Sequence, residues 1–310
     1  MNKLLKQAFT LIELLVVIAI IGILSGLIVV SMSGVTQKAT MAKAQVFSNS
    51  LRNSLMLNLI SEWKLDENTG GITVDSWSGG NTGTLVGATH LPVWKTESDC
   101  VSGPCLQFDG TEDYVDFGAD SSLSMGTGDA TVSLWVEFDN ELAPGNETLI
   151  SCGGDTLDHK GYWLKRYSGT SYLHVFFSSG TIRISTTLSA PGSLVSNTWY
   201  NIVVVFDRDS VVQAYINGSK QVGYSGNITS QAADIQNYKS LTIGSWSTAT
   251  GSRLTGKMDE VRLYNAVMPT SQIKEQYYAG LNKMLNSGNI SKEEYISRIN
   301  NLNIKNEQFN

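Results

Sequence analysis

The stretch TWYNIVVVFDRDSVVQAYINGSKQ, residues 198–221, contains two runs of β-branched and aromatic residues, each followed by a turn signal. The runs predict strands over Trp199–Asp207 and Val211–Ile216, because such side chains pack well on a pleated surface. Asn217-Gly218 ends the second run, and Asn-Gly beside alternating apolar residues is the strongest short-range signal for a β-hairpin. The stretch therefore predicts successive antiparallel strands.

The same two-residue periodicity recurs on both sides of this stretch. A series of short strands separated by turns is typical of a β-sandwich or jelly roll. Long helical patterns do not alternate with these strands, so a parallel sheet with crossover helices is not expected. The further predicted strands are Ser61–Leu65, Leu106–Phe108, Tyr114–Phe117, Ala130–Phe138, Glu147–Ser151, Gly161–Tyr167, Leu173–Ser178, Thr181–Thr187, Leu241–Ser245 and Gly256–Tyr264.

Seven segments in this region resemble, in the same order, those of the concanavalin A-like, laminin-G-like jelly-roll family. The resemblance extends from Glu62 to Tyr278 and ends with a short helix after Pro269. It implies that residues 62–280 form an all-β jelly-roll sandwich. The matching segments are EWKLDENTGG (62–71), DSWSGGNTGTL (75–85), LQFDGTEDYVDF (106–117), ATVSLWVEF (130–138), TWYNIVVVFD (198–207), AYINGSKQ (214–221) and GKMDEVRLYN (256–265).

The N-terminal stretch KQAFTLIELLVVIAIIGIL, residues 6–24, has a different character. Residues from Phe9 to Met32 are apolar or small except for Glu13, and this length suffices for a helix to cross a bilayer. Lys3 and Lys6 precede the apolar run, which favours a cytoplasmic N-terminus. The run is too long for a secretory signal peptide. A plain anchor leaves Glu13 unexplained, because a charge at bilayer depth costs roughly 2.5–3.5 kcal/mol.

This stretch resembles the N-terminal signal of type IV prepilins and pseudopilins. The resemblance implies cleavage between Ala8 and Phe9 and methylation of the new N-terminal Phe9, although that family nearly always has Gly where this chain has Ala8. Glu13 matches the family's characteristic glutamate. As a buried charge is tolerated when paired, Glu13 would neutralise the Phe9 amine of a neighbouring subunit and so determine the axial register of a filament.

Beyond the apolar run, Val35, Ala39, Ala42 and Val46 follow one another in steps of three and four. The sequence therefore predicts one long membrane and filament helix over residues 9–61, after a leader peptide at 1–8. Residues 281–310 are predicted as a short C-terminal helical tail, because Ser291-Lys-Glu-Glu294 is a capping box.

Composition limits the remaining function classes. The net charge is −6 and 16% of the residues are charged. The sequence therefore lacks the basic stripe expected of a nucleic-acid-binding protein. Cys100 and Cys105, in CVSGPC, could form a loop disulfide or remain thiols, and Cys152 has no evident partner. Three cysteines and three scattered histidines do not have the spacing of a zinc site.

Catalytic motifs are not found in the sequence. A glycosidase needs two carboxylates on either side of the scissile bond, and neither a matching strand pattern nor a Gly-x-Ser-x-Gly elbow occurs. We therefore expect that the protein is not an enzyme. The jelly-roll resemblance implies instead that Asp259 ligates a structural Ca²⁺, with Glu67 and Asp75 completing the site. The alternative is that Asp259 caps a turn and the other two are solvated.

Trp77, Trp163 and Trp246 lie in or beside predicted loops and are candidates for glycan binding, since sugar faces stack on aromatic rings. Ordinary packing is the alternative for each ring. Trp135 and Trp199 fall in strand patterns and are expected in the core.

Together, the two resemblances imply a pilin-like filament subunit, of the minor-pilin type, whose lectin-like head serves adhesion or glycan or protein recognition. The alternatives are a type II secretion pseudopilin with a structural head and a membrane-tethered polysaccharide-active enzyme. The implied partners are prepilin peptidase, other pilin subunits and an extracellular glycan or protein, without nucleic acid. The implied location is the bacterial inner membrane and then a surface pilus or periplasmic pseudopilus.

Overall fold

The computed structural model divides the chain into two compact units, Met1–Met56 and Leu57–Asn310. In the first unit, residues 11–12 and 14–22 are helical and form α1. No helix among the residues described below combines the length and the hydropathy needed to cross a membrane. Ala8, Phe9 and Glu13 lie outside those residues. The structure describes residues 11–12, 14–22, 58–77, 80–142, 145–153, 160–180, 183–188, 194–231, 233–235, 239–246 and 252–307.

The second unit contains two antiparallel eight-stranded sheets. Sheet A has the order β14-β13-β12-β7-β16-β5-β4, and β1 pairs with β16; sheet B has the order β11-β10-β9-β8-β15-β6-β3-β2. Sheet A contains β1 (Leu59–Trp63), β4 (Val93–Lys95), β5 (Cys105–Asp109), β7 (Ala130–Phe138), β12 (Trp199–Phe206), β13 (Val211–Ile216), β14 (Ser219–Asn227) and β16 (Thr255–Tyr264). Sheet B contains β2 (Ile72–Thr73), β3 (Gly83–Val86), β6 (Tyr114–Asp116), β8 (Glu147–Gly153), β9 (Lys160–Arg166), β10 (Leu173–Ser179), β11 (Arg183–Thr187) and β15 (Leu241–Ile243).

The sequence pattern located most of these strands but missed β2, β3, β4 and β14. The first three have two to four residues each, which is too short for a recognisable two-residue period. β14 contains Gly223 and Gly226 and few apolar residues. Residues 59–61, which were assigned to the end of the long helix, belong to β1, because pairing with β16 decides their conformation.

The main core lies between the two sheets. On β12, the alternating residues Tyr200, Ile202, Val204 and Phe206 all point into it. Tyr162 and Phe177 of sheet B contact Phe206 across the interface, with ring centroids 5.5 and 5.3 Å apart. The period of two in the sequence thus becomes one buried and one outward face for each sheet.

The outward face of sheet A is covered by helices α2 (Thr270–Ser287) and α3 (Lys292–Glu307). Gly288, in the left-handed region at φ 81°, ends α2. Ser291 Oγ accepts the N–H of Glu294 at 3.0 Å, which is the first bond of the predicted capping box. The predicted boundary between residues 280 and 281 falls inside α2. The second apolar cluster contains Cys100, Val101, Cys105, Trp135, Trp199, Tyr277, Leu281, Met284, Ile290 and Leu302.

Cys100 and Cys105 form a disulfide with their Cα atoms 5.6 Å apart. Asp259 Oδ2 accepts the N–H groups of Val101 and Ser102, both at 2.9 Å, inside this loop. Asn289 Nδ2 donates to the carbonyl of Cys100 at 2.7 Å. The disulfide loop is therefore held between the last strand and the two helices.

Candidate functional site

The outward face of sheet B contains a row of aromatic side chains on β9 and β10. Tyr162 and Leu164 of β9 belong to the core, so the alternation places Trp163 and Lys165 on the opposite face. In the register of the two strands, Trp163 lies beside Phe176 and Lys165 beside His174. We call this surface the aromatic face. Its residues are Trp163, Lys165, Tyr167, Tyr172, His174, Phe176 and Trp246.

Five rings of the aromatic face form a series of contacts, and the sixth, Trp246, is connected to them through Lys165. Trp163 stacks on Phe176 with centroids 5.2 Å apart and an interplanar angle of 10°. Its centroid lies 6.2 Å from that of Tyr167, which meets His174 edge-on at 4.4 Å. Trp163 is 8% exposed, while Tyr167, His174 and Trp246 are half-buried. The rings thus form one apolar platform with partly accessible edges.

Lys165 lies between the two tryptophans. Its Nζ is 3.7 Å from the ring centroid of Trp246 and 4.7 Å from that of Trp163. Both contacts are within the range of a cation–π interaction. The residue is only 5% exposed, and burial lowers the pKa of its amine to about 7. Burial also lowers the pKa of the neighbouring His174.

Buried hydroxyl groups hold Trp246 next to β9. Ser151 Oγ and Thr242 Oγ1 both donate to the carbonyl of Ser245, at 3.1 and 2.9 Å. Ser151 lies beside Trp163 in the register of β8 and β9. The two hydroxyls therefore hold the residue before Trp246 at a fixed place on the sheet.

Of the three predicted glycan-binding tryptophans, the structure brings Trp163 and Trp246 together. Trp77 follows the buried Asp75, whose Oδ1 accepts the Trp77 N–H at 3.0 Å. Trp77 is 40% exposed, and no ring contact joins it to the aromatic face in the described part of the chain.

The three predicted calcium ligands have separate partners. Glu67 Oε1 accepts the N–H of Val74 at 2.6 Å, and Asp75 Oδ1 accepts that of Glu62 at 3.1 Å. Asp259 binds the disulfide loop. Among the described residues, no three His, Cys, Asp or Glu side chains are grouped to hold a metal ion. The three carboxylates do not fit one calcium site in this geometry, and calcium binding stays a prediction that thermal unfolding with and without EDTA would test.

A cavity of about 160 Å³ lies beside α3, lined by Tyr200, Gln221, Arg298 and neighbouring residues. Two of its polar side chains already have partners. Arg298 donates to Glu294 at 2.7 Å, and Gln221 Nε2 donates to the carbonyl of Ser219 at 2.9 Å. The aromatic face is the stronger candidate, because Lys165 has no such partner among the residues that the structure describes.

The sequence interpretation found the tryptophans but missed Lys165, His174 and Phe176. The signal was present in KGYWLKRY and LHVF, where alternate residues share a face.

Two family models match the chain. The model described as the concanavalin A-like lectin/glucanases superfamily matches residues 109–274, which is more than half of the chain. The model of the prokaryotic N-terminal methylation motif matches residues 4–29. A search of curated proteins found no match.

Similar solved structures are binding domains. The binding domain of Paraclostridial mosquitocidal protein 1 has a TM-score of 0.58 and 15% identity, covering 74% of this chain and 53% of that one. The botulinum neurotoxin serotype D ligand-binding domain, in complex with N-acetylneuraminic acid, has a TM-score of 0.54 and 13% identity, covering 74% and 52%. Domain 4 of AbnA, an extracellular arabinanase from Geobacillus stearothermophilus, in complex with arabinotriose, has a TM-score of 0.51 and 19% identity, covering 70% and 97%.

The chain spans about half the length of the two toxin domains. At these identities, the likeness shows a shared fold alone. The family model that matches more than half of the chain shows that the chain belongs to the concanavalin A-like lectin/glucanases superfamily through its β-sandwich. Its N-terminus carries the methylation motif of type IV prepilins and pseudopilins.

Proposed function

We propose that the protein is a type IV pilin-like filament subunit, of the minor-pilin type, whose β-sandwich head binds glycans through the aromatic face. The observation that carries the proposal is the position of Lys165 between Trp163 and Trp246 on the outward face of sheet B. The covering of sheet A by α2 and α3 supports sheet B as the recognition surface.

The chemistry of the aromatic face suits a sugar. The C–H faces of a pyranose stack on aromatic rings, and its hydroxyls need a few polar groups placed beside them. Lys165 and His174 are such groups within the platform. Arabinotriose in the arabinanase domain, of which the match covers 97%, supports the use of this sandwich for carbohydrate binding.

The methylation motif supports the filament part of the proposal. On this proposal, a prepilin peptidase processes the protein at the inner membrane, and the protein then assembles with other pilin subunits into a surface pilus or a periplasmic pseudopilus. A recognition head on such a subunit would lie outside the membrane, where glycans are accessible.

A glycan array probed with the full-length protein in detergent micelles tests the proposal. We expect Trp246→Ala to weaken glycan binding about three- to tenfold, the loss expected for one stacking contact. Trp77→Ala is the matched control and should bind as the wild type does. An array on which the wild-type protein binds no glycan would refute the proposed function and favour a pseudopilin with a structural head.

A further inference from the structure

Given the proposed glycan-binding function, we infer that the aromatic face selects glycans that carry a negative charge, with Lys165 as their counter-ion.

Lys165 is a buried cation without a carboxylate or carbonyl partner among the described residues, whereas Arg208, which also lacks an ion pair there, donates to three backbone carbonyls. Arg166, the next residue on β9, points to the opposite face and pairs with Glu147 at 2.6 Å. Lys257 pairs with Glu137 at 2.6 Å. Among the ion pairs of the described residues, Lys165 has none, although it is 5% exposed.

An unpaired buried cation is unfavourable, and proteins rarely keep one without a partner. The faces of Trp163 and Trp246 supply part of the missing negative charge through their π-electrons. They do not replace an anion, which agrees with the lowering of the Lys165 pKa to about 7 by burial. The site therefore has an unsatisfied preference for negative charge next to a stacking platform.

A carboxylate or sulfate on a stacked sugar would satisfy this preference. The anion would form a charge-assisted hydrogen bond with Lys165 Nζ while the apolar face of the sugar contacts the indoles. A neutral sugar of the same shape could stack but would leave the ammonium group without a counter-ion. Carboxylated and sulfated glycans share this chemistry, and the experiment separates them.

Isothermal titration calorimetry of the full-length protein in detergent micelles, with matched ligands, tests the inference. The pairs are oligogalacturonate against its methyl ester, a sialylated against a desialylated oligosaccharide, and a sulfated against a desulfated one. We expect the charged member of at least one pair to bind about 10- to 100-fold more tightly, as for a hydrogen bond to a charged group. The pair that shows this preference identifies the anion, and the preference should weaken with added salt.

Lys165→Gln should abolish the preference, so that the charged and neutral members of the pair bind this variant with equal affinity. Lys64→Gln removes the same charge from an exposed position and should leave the preference unchanged. Lys165→Arg keeps a positive charge at this position and should therefore retain a preference for the negatively charged ligand. Equal affinities of the wild-type protein for the charged and neutral members of all three pairs would overturn the inference and leave the proposed function intact. Failure to bind any glycan would refute the proposed function itself.

Discussion

Asp113 lies 1% exposed between β5 and β6, and both of its carboxyl oxygens accept the N–H of Asp109 at 3.1 Å. Burial raises the pKa of Asp113 from 3.8 to about 7, and the negative charge of Asp109 adds to this effect. The folded state therefore favours the neutral form of Asp113 at a pH where the same carboxyl group is ionised in the unfolded chain.

This shift predicts a pH-dependent stability. Because the folded-state pKa is above the unfolded value, the contribution of Asp113 is present below about pH 4 and is lost as the pH rises towards 7. Asp113→Asn keeps a neutral side chain at every pH, so the variant should gain stability relative to the wild type between pH 4 and 8. Urea unfolding at several pH values measures this difference.

Asp120→Asn is the control, because the contribution of Asp120 to stability should change with pH in the opposite direction. Asp120 accepts the N–H of Ser122 at 2.8 Å, and this bond lowers its pKa, so its contribution is lost as the pH falls. Parallel stability curves for the wild type and Asp113→Asn over this range would contradict the assignment of Asp113.

At the scale of single elements, α2 packs tightly against sheet A at Gly280. A Cβ atom at this position would lie 2.2 Å from Cζ2 of Trp135. Trp135 in turn stacks on Tyr277 of the same helix, with centroids 5.7 Å apart. Glycine in mid-helix is otherwise unfavourable, so the close approach to the sheet explains its presence.

Gly280→Ala should therefore destabilise the head despite the better helix propensity of alanine. Overpacking typically costs about 1–3 kcal/mol, while the propensity gain is at most about 1 kcal/mol. Urea unfolding measures the difference. Gly145→Ala, with no heavy atom within 4 Å of the added Cβ, should change the stability little. A Gly280→Ala variant as stable as the wild type would show that α2 can move away from the sheet.

At the scale of the whole molecule, the N-terminal unit carries the methylation motif and the second unit carries the β-sandwich head. All residues of the two apolar clusters lie between Trp63 and Leu302, so the head has its own core. On the proposed function, we therefore expect that filament assembly and ligand binding can be altered separately, by changes at Glu13 or at Lys165.

Glu13→Val should insert into the membrane normally but fail to enter filaments, because the Phe9 amine of the adjacent subunit would lose its counter-ion. Quantitative immunoblots of membrane and sheared-filament fractions measure this. Glu13→Asp keeps the charge and should retain part of the assembly. Mass spectrometry should find a methylated Phe9 at the mature N-terminus. Unchanged filament content of Glu13→Val would contradict the pairing.

The sequence by itself determined the class of fold and the kind of N-terminus. Its two-residue periodicity and Asn217-Gly218 predicted the strands and a hairpin, and residues 6–24 predicted the methylation motif. These features are local, since the alternation of side chains on a strand and the conformation of a turn depend on neighbouring residues.

Only the tertiary structure decided which strands lie side by side and what they bring together. Residues 59–61 became a strand through pairing with β16, and the C-terminal helices became part of a core through Trp135 and Trp199. Trp246 reached Lys165, eighty-one positions earlier in the sequence, through the pairing of β15 with β8. Local periodicity states which face a side chain occupies, whereas its distant neighbours follow from cooperative burial of the whole domain.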